Sequence, residues 1–334
     1  MEFKIIPGSA VKTILAGHHS ATIADVKAAY IAHHRGQTVN PDSYFLRFPD
    51  NERNRIIALP ATVGGDVGVS GIKWIASFPA NIGLGLSRAS AVLILNDQAT
   101  GYPFACLEGS RISSARTSAS AVLGAYWLNG ENRRAQSLAI VGAGVISRAI
   151  LETFAADGWQ FDRIVVHDID QAAALELSRF AATHFPEVAK VEVAASQQDA
   201  LAASIVAFAT NVGKPYLDPA FRFRPDQVVL NISLRDIAPE QILASLNIFD
   251  DVDHCMKANT SPHLAEQLVG DRRFVTGTLA QLMLGEIALP DGKAKIYSPF
   301  GMGILDLSLG KKVYDEACKR GLATVFSDFF AEQA

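Results

Sequence analysis

Residues 139–150 read AIVGAGVISRAI. An apolar run stops at Gly142-Ala143-Gly144, and apolar residues resume at Val145, Ile146, Ala149, Ile150 and Phe154 with helical spacing. The run before the turn, SLAIV at 137–141, reads as a buried parallel strand. Strand, glycine turn and helix in that order make an anion-binding corner. Bare backbone N–H groups at the start of the helix can approach a diphosphate only where side chains are absent or small. Ser147 fills the third small position of the pattern. A second strand follows in RIVVHDID, ending at Asp168, 26 positions after Gly142. A carboxylate there accepts hydrogen bonds from the ribose of a dinucleotide. No basic residue follows immediately to meet a 2′-phosphate, so NAD is favoured over NADP. The alternative for Asp168 is a helix cap, a role that suits Asp170 better.

Working outward, the alternation of strands and helices continues. A helix at 171–184 leads to a strand at 188–194, a short helix near 197–202 and a strand at 204–210. A strand at 227–233, a helix at 238–245 and a strand at 247–252 follow. This is the pattern of an α/β Rossmann-type fold, a doubly wound parallel sheet with helices on both faces. Ligands of such sheets gather beyond the C-terminal strand ends, where Thr210, Asn211, Ser233 and Asp236 fall. Ordinary loop polarity is the alternative for each, and it suits Asn211 best.

The first third differs. After a helix-like stretch at 20–35, RIIALPATVGG, VSGIKWIASF and SAVLILND are β-rich runs separated by glycine and polar turns. They predict a mostly antiparallel sheet, covered by that helix and by another beginning near Ser113. Three cations stand out. Arg55 opens a strand, Lys73 lies between Ile72 and Trp74, and Arg116 falls where a polar turn becomes a helix. Strand residues alternate faces, so Lys73 is free to point outward. A cation in a first helical turn opposes the helix's own partial charge, and Arg116 there is better explained by an anion. Arginine offers carboxylates a planar fork and lysine a point charge that can also move protons. Three cations converging near a nicotinamide would suit a substrate bearing carboxylates.

Composition narrows the classes. The 334 residues are 49% hydrophobic and 19% charged, with net charge −4 and no long basic run, which gives no footprint for nucleic acid or an anionic membrane. No apolar stretch approaches the ~20 residues that span a bilayer, and the first residues lack a signal-peptide pattern. Cys106, Cys255 and Cys318 are odd in number and far apart, without CxxC spacing, so a reducing cytoplasm is expected and no disulfide framework. The pairs His18-His19 and His33-His34 diverge on a helix and do not suit chelation, so no metal is expected.

RIIALP, SGIKWIASFPAN, RASAVLILND, GYP, ISSARTSA, the Gly142-Ala143-Gly144 turn and SPFGMGILDLS occur in this order over nearly the whole chain. Together they resemble the ornithine cyclodeaminase/μ-crystallin family. The resemblance implies an α+β substrate-binding and dimerisation domain made of 1–115 and 307–334, with an NAD-binding domain at 116–306 between them. It implies a homodimer acting on a small amino-acid substrate. Arg55, Lys73 and Arg116 match the family's substrate-gripping positions. Asp236 matches the acidic residue that works with the lysine in proton transfer and water activation. Thr210 matches a cofactor-contacting threonine, and Gly301 and Asp306 match the segment near the nicotinamide.

RIIALP, GIKWI, RASAVLILND and the NIS stretch before Asp236 are most similar to the branch of dehydrogenases that make 2,3-diaminopropionate for siderophores. This implies NAD-dependent oxidative cleavage of N-(2-amino-2-carboxyethyl)-L-glutamate to 2-oxoglutarate and 2,3-diaminopropionate. Ornithine cyclodeamination to proline and ammonia is an alternative, although cyclodeaminases continue from the aspartate into a proline-glycine-lysine turn and this chain reads Ile237-Ala238-Pro239-Glu240. A third alternative is a non-catalytic, dinucleotide-dependent binding protein, against which the joint presence of Lys73, Arg116 and Asp236 argues.

Overall fold

The structure, a computed structural model, describes residues 2–330. The chain divides into two units, one of Met1–Arg116 with Met302–Ala334 and one of Thr117–Gly301.

The chain opens with β1 (Phe3–Ile6), α1 (Gly8–Leu15) and α2 (His19–His34). Then come β2 (Thr38–Val39), β3 (Tyr44–Phe48), β4 (Asn51–Val63), β5 (Val69–Ser77), β6 (Ala89–Asn96), β7 (Pro103–Glu108) and α3 (Ser110–Leu128). The central stretch runs β8 (Arg134–Val141), α4 (Val145–Ala156), β9 (Gln160–His167), α5 (Gln171–His184), β10 (Lys190–Val193), α6 (Gln197–Leu201) and β11 (Ile205–Phe208). It continues with β12 (Val228–Asn231), α7 (Pro239–Leu243), β13 (Leu246–Phe249), α8 (Val252–Cys255), α9 (Ser261–Val269), β14 (Val275–Thr278), α10 (Leu279–Met283) and β15 (Lys295–Ser298). The tail adds α11 (Gly303–Lys319) and β16 (Thr324–Phe326).

In the unit built from both chain ends, eight strands form one sheet in the order β16-β1-β7-β6-β5-β4-β2, with β3 also paired to β4. All its pairings are antiparallel except β1 with β7. One face of this sheet is covered by α11. Gly303, Asp306 and Gly310 recur at intervals of three and four residues and so share a helix face. A Cβ at Gly303 would stand 2.9 Å from the Leu59 carbonyl oxygen, so the close approach to β4 depends on its absence. The tail therefore joins this unit from Met302 rather than from 307, and Asp306 falls on the sheet side of its first turns.

Two expectations shift at α3. It begins at Ser110, ahead of Ser113, because the Glu108 carboxylate accepts the N–H groups of Ser110 at 2.7 Å and Arg111 at 3.2 Å. Arg116 therefore lies in the second turn, and the argument from the helix's own terminal charge does not apply to it. Glu108 already answers that charge.

The central unit holds the doubly wound parallel sheet, in the order β10-β9-β8-β11-β12-β15-β13-β14. Strands β11 (IVAF) and β12 (VVLN) are buried at every position, as a parallel strand covered on both faces must be. Chain order reverses between β8 and β11, with β9 and β10 on one side and β11 and β12 on the other. Helix α5 starts where Asp170 accepts from the N–H groups of Ala172 and Ala173. The strand expected at 247–252 stops at Phe249, because Asp251 caps α8 through the His254 N–H. Among the described residues no helix is long and apolar enough to cross a membrane.

Candidate active site

In the unit made of the chain ends, Lys73 lies on β5 between half-buried Ile72 and exposed Trp74, yet is itself only 2% exposed. It faces inward. Its Nζ donates to Asp306 Oδ2 at 2.6 Å and to Ser113 Oγ at 3.2 Å. Arg116 donates from Nε to Asp306 Oδ1 at 3.1 Å and from Nη2 to Ser113 Oγ at 3.3 Å. Ser113 and Arg116 are three residues apart and share a face of α3. Two cations thus meet one carboxylate, and all three side chains are buried. Burial and the neighbouring Arg116 charge lower the Lys73 pKa to about 8, against the opposing pull of Asp306.

The family resemblance implies that Asp236 works with Lys73. Within this unit the carboxylate on Lys73 is Asp306, 233 positions along the chain from it. Of the three expected cations, the structure brings two onto that carboxylate. Arg55 pairs in register with Ser77, so it shares the Lys73 face but lies four residues farther along β5.

In the central unit, the turn after β8 is built as the sequence predicts. Gly142 has φ +99°, and a Cβ there would stand 2.6 Å from the Ala209 carbonyl oxygen just beyond β11. The turn is thus pressed against the point where the strand order reverses, where open α/β sheets bind ligands. Gly144 is the N-cap of α4, and among the described residues no side chain caps that helix end. A Cβ at Gly144 would meet nothing within 4 Å, so its backbone faces open space. Val145 is 74% exposed and Ile146 half-buried in the first turn. Ser147 is fully buried, and its hydroxyl donates to the Gly142 carbonyl, which closes the turn. The Asp168 carboxylate accepts the Ala143 N–H at 2.6 Å and the Asp170 N–H at 2.9 Å. Asp170, not Asp168, caps α5.

Asp236 is fully buried beyond the end of β12. It accepts from Thr210 Oγ1 at 2.6 Å on one oxygen and from the Ser233 hydroxyl on the other. Burial raises its pKa, while hydrogen bonds from Ser233, Thr210 and Tyr216 oppose that rise. Tyr216 escaped the sequence reading, since nothing marks a tyrosine in a loop as a partner of an aspartate 20 positions along the chain. Gly301 has φ +88° and is buried, and its N–H donates to Asp250 Oδ2 at 2.7 Å. Asp250, also missed, accepts the Phe300 N–H at 2.9 Å as well and so anchors this bend.

The corner at Gly142–Gly144 fits a dinucleotide on these observations: a turn that tolerates no Cβ at Gly142, open space over the backbone at Gly144, and a carboxylate at the next strand end.

The model of the ornithine cyclodeaminase/mu-crystallin family matches residues 10–321. The N-((2S)-2-amino-2-carboxyethyl)-L-glutamate dehydrogenase of Staphylococcus aureus is 30% identical over 324 residues, covering 93% of this chain and 94% of that protein. In fold, the chain is similar to the Δ1-pyrroline-2-carboxylate reductase of Thermococcus litoralis, solved with NADH and L-proline. That match has a TM-score of 0.85 at 20% identity and covers 96% of this chain and 99% of the other. It is also similar to an archaeal alanine dehydrogenase dimer with bound NAD, with a TM-score of 0.84 at 20% identity, covering 99% and 100%.

Proposed function

The chain belongs to the ornithine cyclodeaminase/mu-crystallin family, and on that premise we propose that it is an NAD-dependent dehydrogenase of N-(2-amino-2-carboxyethyl)-L-glutamate. The observation that carries this reading is the buried Lys73–Asp306–Arg116 cluster. With two cations on one carboxylate it holds an excess positive charge away from water. A substrate carboxylate would neutralise that excess, and the arginine fork would orient it.

The bound dinucleotide supplies a hydride acceptor for the glutamate α-carbon. Gly142, Gly144 and the first turn of α4, at Val145 and Ile146, would hold its diphosphate, with Asp168 on the adenosine ribose. Thr210, Ser233 and Gly301 would border the rest of it. The residue that follows Asp168, where a cation would meet a 2′-phosphate, is Ile169, 98% exposed. Lys73, with its pKa near 8, takes the proton from the substrate amine. Asp236, kept protonatable by burial, handles the water that hydrolyses the imine to 2-oxoglutarate and 2,3-diaminopropionate.

The dehydrogenase reading is preferred to cyclodeamination because Ile237–Glu240 replaces the proline-glycine-lysine turn. Here Pro239 starts α7 and the Ala238 N–H is taken by Gln241. We further propose a homodimer. On the sheet face opposite Lys73, Tyr44, Ala58, Trp74 and Val92 lie opposite one another across β3, β4, β5 and β6. Tyr44 is 70% exposed, Trp74 41% and Val92 40%, an apolar row that a second copy would cover.

The test is turnover. With NAD⁺, N-(2-amino-2-carboxyethyl)-L-glutamate should yield stoichiometric NADH and 2-oxoglutarate. Release of ammonia from ornithine without net NADH would assign the cyclodeaminase reaction instead. Tight NAD binding with no turnover across a broad amino-acid panel would assign a binding protein.

A further inference from the structure

Two loops of the central unit carry backbone strain and hold on to each other. Among the described residues five non-glycines take positive φ. Three of them are Leu234 (+67°), in the loop after β12, and Ala258 (+54°) and Asn259 (+52°), between α8 and α9. A bulky side chain is rare in that region of backbone space and stays there only where its surroundings over-determine it. Here they do. The Leu234 side chain is buried, and its carbonyl accepts the Ser261 N–H at 2.7 Å. Arg235 Nη2 donates to the Ala258 carbonyl at 2.8 Å. The second loop is fixed in turn. The Thr260 hydroxyl donates to the Cys255 carbonyl, and the Cys255 thiol donates to the Ser298 carbonyl at 2.9 Å, at the end of β15.

The bend at Leu234 turns the chain so that the Ser233 hydroxyl and the Asp236 carboxylate, three residues apart, meet. Half-buried Arg235 sits inside that turn and places a charged donor on a carbonyl of the neighbouring loop, a stronger bond than a neutral donor makes. We propose that Arg235 is a positioning residue for the hydrolytic half of the reaction. Its grip on the Ala258 carbonyl holds the Ser233–Asp236 turn, and with it the Asp236 carboxylate, where water meets the imine. Water adds its oxygen to the imine carbon, and Asp236 relays its proton to the nitrogen. The C–N bond then breaks, and the amine leaves with the hydroxyl proton as the carbonyl forms. The proposal rests on Asp236 handling that water.

The test compares wild type with Arg235→Gln and Arg235→Lys in stopped flow, with NAD⁺ and N-(2-amino-2-carboxyethyl)-L-glutamate. Arg235→Gln should lower kcat roughly 100-fold, and Arg235→Lys should recover part of the loss. Hydride transfer precedes hydrolysis, so Arg235→Gln should still form NADH in a fast burst of about one per active site before the slow steady state. A merely structural arginine would lower the melting temperature without separating the two steps. Wild-type kcat in Arg235→Gln, or a loss of kcat with no burst, overturns the assignment, and Arg235→Lys decides by the same readouts if the glutamine variant does not fold. Amide hydrogen exchange separates this from the functional reading. The Ser261 N–H, which closes on Leu234, should exchange at least about tenfold faster in Arg235→Gln than in wild type, with the Gly142 N–H unchanged. Equal exchange at Ser261 overturns the clasp whatever reaction the enzyme performs. Absence of NADH from wild type overturns the functional reading and leaves the exchange comparison to decide the clasp.

Discussion

Lys73 Nζ stands 2.6 Å from Asp306 Oδ2, and the other oxygen of that carboxylate receives Arg116 Nε at 3.1 Å. One buried acid thus holds two buried bases that would otherwise repel each other.

Replacing that acid should be costly. Asp306→Asn leaves Lys73 and Arg116 adjacent, buried and without a counter-charge. Breaking a buried ion pair in this way costs about 3–5 kcal/mol. Urea denaturation should show a loss of that order, and an unchanged midpoint at unchanged m would mean the pair contributes nothing to the fold. The same variant removes what raises the Lys73 pKa, so its titration should move below about 8.

The pH dependence follows from the same lysine. Its folded pKa of about 8 lies below the ordinary 10.5. Lys73 is a cation below the first value and neutral above it. If it accepts the substrate proton, kcat/KM should rise through about pH 8 and then level. Lys73→Arg should abolish that limb and slow turnover by roughly 10²–10⁴. Stability carries the matching sign. Between about 8 and 10.5 the unfolded chain holds more protons at this site than the folded one, so its contribution becomes more favourable as pH rises through that window. A flat kcat/KM profile from pH 7 to 9 would remove Lys73 as the base.

The two glycines of the turn should separate fold from cofactor. Gly142→Ala puts a Cβ 2.6 Å from a backbone oxygen at φ +99°, and should lower the melting temperature sharply or abolish folding. Gly144→Ala has open space and an ordinary backbone conformation, so it should cost no more than about 1 kcal/mol. Its NAD affinity should nevertheless fall at least about tenfold, because the methyl group occupies ground the diphosphate needs. Calorimetry on both variants checks this, and wild-type NAD affinity in Gly144→Ala would place the dinucleotide elsewhere.

Much of this was legible in the sequence, for reasons that differ by residue. The strand at 137–141 and the helix at 171–184 were readable because a glycine turn and an Asp170 cap are local signals. Lys73 was readable as a candidate but not as buried, since alternation along a strand leaves both faces open. Its partner was not readable at all. Asp306 reaches Lys73 only because Gly303 lets α11 press against β4, a contact made across most of the chain. Arg235 stands beside Asp236 and declares nothing until the fold brings the Ala258 carbonyl to it. The start of α3 was misread because Glu108, the last residue of a strand, acts as its cap.

Cofactor choice offers a further check. Asp168→Ser combined with Ile169→Arg removes the carboxylate and adds a cation at a fully exposed position. Wild type should prefer NAD, and the double variant should shift the NADP-to-NAD ratio of kcat/KM at least about tenfold toward NADP. An unshifted ratio would remove Asp168 from the ribose.

The most direct measurement uses substrate deuterated at the glutamate α-carbon. Incubated with NAD⁺ and followed by mass spectrometry, it should give singly deuterated NADH together with unlabelled 2-oxoglutarate and 2,3-diaminopropionate. Deuterium retained in the organic product, or lost to water with NAD⁺ unreduced, would contradict hydride removal from that carbon and with it the proposed reaction.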